Sequence, residues 1–257
     1  MLKEFACGQE EIDIIEKYGD VTDDLHTDLH ECLGHGSGKL MPGVDPDSLK
    51  AYGSTIEEAR ADLFALYSLA DPKLVELGLV PVGEAYKASY IGQMQNGLIT
   101  QLVRINLGSN IEEAHMRNRA LIARWAYENG KKDNVIEMVK RGGKTYVKIN
   151  DYQKLRDLFG ELLAEIQRIK STGDFKAAQV LVESYGVKID PTLHEEVLDR
   201  YKKLNIAPYK GFINPVYTAE RDKDGNITDV KVSYEEGYAE QMLRYSKEYG
   251  TLPLINE

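Results

Sequence analysis

The 257-residue sequence predicts a mainly α protein with a small β-hairpin near its C-terminus. Three observations carry this. Apolar residues recur at helical spacing along most of the chain, as in Leu63, Phe64, Leu66, Tyr67 and Leu69. Breakers such as Gly36-Ser37-Gly38 and Asp71-Pro72 separate the periodic stretches. Strong hairpin chemistry occurs once, where Phe212–Glu220 and Ile227–Tyr234 flank Asp222-Lys223-Asp224-Gly225-Asn226.

Taken in order, residues 9–18 read as a short helix stopped by Gly19 and Asp20, and a second helix runs through 24–36 to Gly36-Ser37-Gly38. Residues 39–53, with Pro42, Gly43, Pro46 and Gly53, form a loop. Ser54 or Thr55 caps a third helix, with Glu57 and Glu58 in its first turn, that ends at Asp71-Pro72. Further helices are expected at 83–107, 111–129, 151–170, 173–185, 192–204 and 235–248, and a short alternating strand at Lys144–Ile149. No internal repeat or low-complexity linker interrupts the chain, so one mainly helical domain across 1–257 is the simplest expectation.

Composition narrows the function. Hydrophobic residues make up 42% and charged residues 29%, the balance of an ordinary globular protein. A net charge of -10 argues against nonspecific nucleic-acid binding. No apolar run approaches the ~20 residues that span a bilayer, so no membrane partner is expected. The start, Met1-Leu2-Lys3-Glu4-Phe5 followed by Glu10, Glu11 and Asp13, lacks a signal-peptide apolar core. Cys7 and Cys32 make no disulfide framework, and a reducing cytoplasm is the expected compartment.

The most informative segment is His30-Glu31-Cys32-Leu33-Gly34-His35. In the zinc-peptidase pattern H-E-x-x-H, the two histidines stand four apart on one helix face and the glutamate serves as general base. Here they stand five apart, about 140° around a regular helix. Either the motif is an accident or the helix is locally widened so that the rings converge, a distortion common at functional sites. Gly34 occupies the extra position, where a distorted backbone is best tolerated. A regular α-helix across Cys32–His35 would overturn the metal reading.

A catalytic zinc needs a third protein ligand and an open position. Glu58 and Asp62, i and i+4 on the third helix, share a face, so that one can ligate while the other orients a histidine. Glu31 would take a proton from the attacking water, whose pKa zinc lowers to roughly 7, and pass it to the leaving amine. The bland reading of the acidic cluster is a solvated first turn that favours the helix dipole. His26 and His30 are the true i, i+4 pair and offer an alternative site. Cys32 points about 200° from His30 and packs away from the metal.

The two motifs together, His30-Glu31-Cys32-Leu33-Gly34-His35 with Gly36-Ser37-Gly38-Lys39-Leu40 and then Glu57-Glu58-Ala59-Arg60-Ala61-Asp62, closely resemble the dipeptidyl peptidase III family. Its members are zinc exopeptidases with H-E-x-x-G-H and E-E-x-R-A-E/D motifs. The resemblance implies that His30, His35 and Glu58 hold one Zn2+ and that Glu31 is the catalytic base and acid. It places Glu57 and Asp62 on carboxylates that hydrogen-bond the ligating histidines, Asp62 being shorter than the glutamate of some members. Ala114-His115-Met116-Arg117-Asn118-Arg119 is similar to the family's A-H-M-x-x-R segment, which makes His115 the group that steadies the oxyanion and Arg119 a substrate contact. Tyr209-Lys210-Gly211-Phe212-Ile213-Asn214-Pro215 is similar to a segment with two basic residues near the substrate's C-terminal side; here only Lys210 is basic.

The resemblance covers residues from about 20 to about 240. Full-length members carry several hundred more residues before the zinc motif, including a β-barrel-containing lobe that closes over the cleft and binds the peptide's amino end. The chain is therefore expected to be the helical zinc-peptidase catalytic domain alone, acting on oligopeptides by releasing N-terminal dipeptides, with the missing lobe as partner. Two other readings stand beside this one: a generic zinc endopeptidase, and an inactive zinc-stabilised fragment with a structural or partner-binding role.

Overall fold

The computed structural model of the chain describes residues 1–206 and 213–251. Its contacts gather into two compact units, Met1–Asn205 and Ile206–Glu257, which are taken in turn.

The first unit opens with a short helix α1 (Leu2–Phe5) and a long helix α2 (Gln9–Asp28). The expected break at Gly19-Asp20 does not occur. A single helical glycine costs only about 1 kcal/mol, without the steric block of proline. α2 runs directly into a π-helical turn, Leu29–Gly34. A loop and one 3₁₀ turn (Lys50–Tyr52) lead into α3 (Gly53–Leu69). Neither Ser54 nor Thr55 caps α3; Tyr52 holds the cap position without a side-chain hydrogen bond, because the 3₁₀ turn feeds straight into the helix.

A one-turn helix α4 (Lys73–Glu76) precedes α5 (Tyr86–Leu98). The single helix expected over 83–107 breaks at Ile99, with φ -132°, and continues as a 3₁₀ segment, Thr100–Arg104. α6 (Ala114–Gly130) begins later than expected because Glu113 caps it through its carboxylate. The strand at Lys144–Ile149 is present as β2 and pairs antiparallel with β1 (Ile136–Arg141), giving a hairpin not expected from the sequence. Its turn is Gly142-Gly143, both at positive φ, where glycine alone is unstrained. The unit closes with α7 (Tyr152–Thr172), α8 (Phe175–Val182) running into a second π-turn (Glu183–Val187), and α9 (Pro191–Leu204).

α3 is the central helix. Ile56, Leu63 and Leu66 are fully buried among Tyr90, Ile91 and Met94 of α5, Leu121 and Ile122 of α6, and Phe159, Leu162 and Ile166 of α7. Its other side packs Ala65 and Leu69 against Leu25 and Leu29, the residues that lead into and begin the π-turn. The buried Tyr90 hydroxyl donates to the Leu66 carbonyl at 3.0 Å, so burying the ring leaves no unpaired hydroxyl. Arg200, 3% exposed, joins the ends of the unit: it donates to Glu4 at 2.8 Å, to the Thr145 carbonyl at 2.6 Å and to Glu196 at 3.0 Å.

In the second unit, β3 (Val216–Arg221) and β4 (Ile227–Ser233) form the hairpin expected near the C-terminus, followed by α10 (Tyr238–Tyr249). Gly225, φ +86°, makes its turn, and Asp222 accepts from Asp224 N and Asn226 N, each at 2.9 Å. Tyr209 and Lys210 lie outside the described residues.

α5 meets α6 at Gly97, where an added methyl would collide with the Arg119 carbonyl oxygen and with Ala123. Gly97→Ala is expected to destabilise the fold by about 1–3 kcal/mol through overpacking. The check is a lower urea midpoint at unchanged denaturant slope.

Candidate metal centre

The π-turn answers the spacing problem. The His35 N–H donates to the His30 carbonyl at 2.9 Å, an i→i+5 bond that closes the wide turn between the two histidines themselves. The ring centroids come within 4.7 Å, edge to face. Gly34 serves less for backbone freedom than for close approach: a methyl there would lie 2.9 Å from the Ala61 Cα and 3.0 Å from its Cβ. That contact seats the π-turn directly on α3, opposite Glu57, Glu58 and Asp62.

Each histidine is gripped from behind. His30 Nδ1 lies 2.7 Å from Asp62 Oδ1, and His35 Nδ1 lies 2.8 Å from Glu57 Oε1. With both Nδ1 atoms engaged, both Nε2 atoms face Glu58, whose Oε2 stands 3.3 Å from His30 Nε2 and 3.9 Å from His35 Nε2. Such back-side carboxylates fix the tautomer and orientation of a ligating imidazole. Glu58 Oε2 is itself buried and accepts no hydrogen bond.

The carboxylates differ in their supports. Burial pushes the Asp62 carboxyl up, but hydrogen bonds with His26 and His30 outweigh it and hold Asp62 well below the usual range. Burial likewise opposes ionisation of Glu57, yet hydrogen bonds from Arg60, Lys170 and His35 bring it down to about 2. Arg60, only 1% exposed, grips Glu57 with two nitrogens at 2.8 and 3.1 Å and reaches Ser37 Oγ at 3.0 Å, tying α3 to the segment after the π-turn. Lys170 of α7 adds a second cation on Glu57. The hydrogen bond to Asp62 raises the His30 pKa against its burial.

Two groups of side chains have metal-binding proximity: His30, His35 and Glu58, and separately His26, His30 and Asp62. The two groups differ in how their atoms are already engaged. Donor atoms about 2.1 Å from a tetrahedral zinc stand about 3.4 Å apart. The 3.3 Å from His30 Nε2 to Glu58 Oε2 is close to this and the 3.9 Å from His35 Nε2 is wider, and the unpartnered Glu58 oxygen is the atom a cation would satisfy. In the second group, His26 Nε2 and His30 Nδ1 sit at 3.1 and 2.7 Å from the same Asp62 oxygen, which is hydrogen-bond geometry. His26 thus supports Asp62.

The remaining candidates border one side of the cluster. Glu31 is exposed and shares a cavity of about 550 Å³ with His30, Asp62, His115 and Arg119. His115, at the start of α6, brings Nε2 to 3.5 Å from Glu58 Oε2, but it is not among the mutually close donor set. Cys32 is exposed and Cys7 half-buried, and neither is in a disulfide. The sequence reading missed Arg60 and Lys170 as supports of Glu57, and Glu113 as partner of His115. For Arg60, the i, i+3 spacing to Glu57 is a local signal; Lys170, far along the chain, has none.

The fold and the site together define a class: a helical protein with a histidine–carboxylate cluster built across a widened helical turn and its neighbouring helix. A family model described as Peptidase family M49 matches residues 46–199, more than half the chain, and the chain belongs to that family. The matched stretch contains Glu57, Glu58, Asp62 and His115 and starts after the histidine pair. Among curated proteins, the chain is similar to dipeptidyl peptidase 3 of Mus musculus, at 25% identity over 247 residues covering 78% of this chain and 34% of that protein. It is similar also to dipeptidyl peptidase 3 of Homo sapiens, at 25% over 232 residues covering 72% and 32%. The chain spans about a third of the length of these relatives. Among solved structures, DPP III from Caldithrix abyssi aligns with a TM-score of 0.58 at 22% identity, covering 78% of this chain and 35% of that one. Dipeptidyl-peptidase III from Corallococcus sp. strain EGB aligns at 0.52 and 22%, covering 70% and 31%. These two likenesses show the fold.

Arg60→Met removes a buried cation from Glu57. Breaking a fully buried pair costs about 3–5 kcal/mol. Because Glu57 is partly exposed and keeps Lys170, a loss of about 2 kcal/mol in chemical denaturation is expected.

Proposed function

We propose that this chain is the metal-binding catalytic part of a zinc peptidase that releases dipeptides from the amino end of oligopeptides. The observation that carries the reading is the buried Glu58 Oε2, which faces the Nε2 atoms of two histidines and has no hydrogen-bond partner. Two neutral imidazole nitrogens and a carboxylate oxygen, each imidazole anchored through its other nitrogen, form a donor set suited to zinc. His30, His35 and Glu58 would hold the ion. When bound, zinc supplies Lewis acidity and brings the pKa of water near ~7.

The chain's own residues supply the rest. Glu31 directly follows His30 and faces the cavity, where it takes the proton of the attacking water and returns it to the leaving amine. His115 presents Nε2 to the same side and steadies the oxygen that gains charge. Arg119 lies one helical turn further along α6, in the same cavity, and contacts the substrate. Lys210 is proposed as a further contact to the substrate's C-terminal side.

Dipeptide release rests on the relatives named dipeptidyl peptidase 3, of which this chain spans a third. A further lobe, corresponding to the part of those relatives that the chain does not match, would bind the free amine. The two free cysteines suit a reducing compartment, and the cytoplasm is the proposed location. Among the described residues no helix is long and apolar enough to cross a membrane.

Metal analysis of purified variants, beside hydrolysis of a dipeptidyl arylamide, tests the assignment. His35→Ala is expected to lose nearly all zinc, whereas His26→Ala keeps it; the reverse pattern would move the site to His26, His30 and Asp62. Glu31→Ala is expected to retain zinc and lose turnover by about 100-fold or more. Products from unblocked and N-acetylated peptides separate an exopeptidase from an open-cleft endopeptidase, since only the former requires the free amine.

A further inference from the structure

Sequence motifs assign His115 but say nothing of what orients it, and a half-exposed imidazole on a helix's first turn has rotamers to choose from. Its side chain is 54% exposed, so packing alone does not fix the ring. The residue that does is Glu113. One carboxylate makes three contacts: Oε1 accepts from the His115 backbone N–H at 2.9 Å, Oε2 accepts from the Met116 N–H at 2.9 Å, and Oε1 lies 2.6 Å from His115 Nδ1. The first two form the N-terminal cap of α6. They immobilise the carboxylate before the ring meets it, so the ring contact costs only the ordering of His115 itself.

We infer that Glu113 is a positioning residue: its carboxylate holds the His115 ring at Nδ1 and turns Nε2 toward the open side of the metal centre, 3.5 Å from Glu58 Oε2. A carboxylate that accepts from one imidazole N–H fixes the orientation of the ring and aims the other nitrogen, and an imidazolium held this way donates from that nitrogen to an oxygen that gains charge; in the neutral ring the same contact is read as the Nδ1–H form. The arrangement repeats on α6 what Asp62 and Glu57 do for His30 and His35. All three imidazoles are thus gripped at Nδ1 and directed by Nε2 toward one buried oxygen. His115 differs in being held by its own helix, two residues away, with no partner on α3 behind it.

The catalytic use of this contact rests on the peptidase reading above; the orientation of the ring does not, and the test separates them. The cap and the ring contact have different length requirements. Aspartate is among the best capping residues but is one methylene too short to reach the ring from the same place. Glu113→Asp should therefore keep the stability of α6 and release His115, while Glu113→Gln keeps an oxygen for the ring.

Nitrogen-15 spectra of the His115 ring in the full chain, at alkaline pH where neutral tautomers are read directly, decide the point. The wild type and Glu113→Gln are expected in the Nδ1–H form, and Glu113→Asp in a mixture enriched in Nε2–H, at unchanged melting temperature. An Nε2–H wild type, or a Glu113→Asp spectrum identical to wild type, would show that Glu113 only caps the helix and would overturn the inference. On a dipeptidyl arylamide, Glu113→Asp is expected to lower kcat about tenfold with KM nearly unchanged, since the residue acts through an orienting contact rather than on substrate. A shifted tautomer with no turnover in any form leaves the positioning role standing and counts against the peptidase reading. A shifted tautomer with full turnover in Glu113→Asp removes the catalytic role.

Discussion

One hydrogen bond, from the His35 N–H to the His30 carbonyl, sets the geometry on which the site depends. It closes a turn over five residues in place of four, so that an insertion which would throw two histidines to different sides of a helix instead brings their rings into edge-to-face contact. A π-turn is unusual and needs outside support. It finds this in two places: the buried Leu25 and Leu29, which pack on Ala65 and Leu69, and the glycine-to-alanine approach of Gly34 and Ala61. α3 is therefore both the centre of the core and the wall against which the turn is shaped. Ile56, Leu63 and Leu66 bury one side of the helix while Glu57, Glu58 and Asp62 face the histidines from the same few turns.

Electrostatics then sort three neighbouring carboxylates into different duties. Asp62 is nearly buried and shared by His26 and His30; Glu57 sits among Arg60, Lys170 and His35. Both are kept ionised by close hydrogen-bond donors despite desolvation, the condition under which a buried carboxylate is tolerated. Glu58 has no such donors. The contrast arises from position on one helix: Glu57 turns toward Lys170 of α7 and Arg60 of its own helix, while Glu58 turns between the histidines.

Much of this was legible from the residues. The helical fold followed from periodic apolar stripes and the C-terminal hairpin from Asp222–Asn226, while the spacing of the histidines left two readings, an accidental motif or a widened turn, of which the structure shows the second. What escaped had physical reasons. Gly19 was read as a stop, but within an otherwise periodic helix its propensity cost is small against the packing of α2. The pairing of Ile136–Arg141 with Lys144–Ile149 carried only the Gly142-Gly143 turn as a signal, and β1 lacks clean alternation. The break at Ile99 comes two residues after Gly97, which was not read as a stop. Gly34 was credited with backbone freedom when its requirement is room beside Ala61, a fact of tertiary packing that no local pattern encodes. Lys170 and Arg200 act across the fold and are invisible to any window.

The unpartnered Glu58 oxygen links fold to chemistry. A buried polar atom left without a partner costs roughly 1–3 kcal/mol, and more when it is charged. Cores normally remove such costs by supplying a donor, and here Arg60 and Lys170 stand one residue away on Glu57, so cations were within reach of the design. Instead, the nearest groups to Glu58 are imidazole nitrogens whose opposite faces are already committed to Asp62 and Glu57. Anchored through Nδ1, both rings turn Nε2 toward the same carboxylate oxygen. The same carboxylates that orient the rings thereby gather two imidazole nitrogens and a carboxylate oxygen into one group that could hold a cation. That is why the supports of His30 and His35, more than the histidines alone, give the site its character.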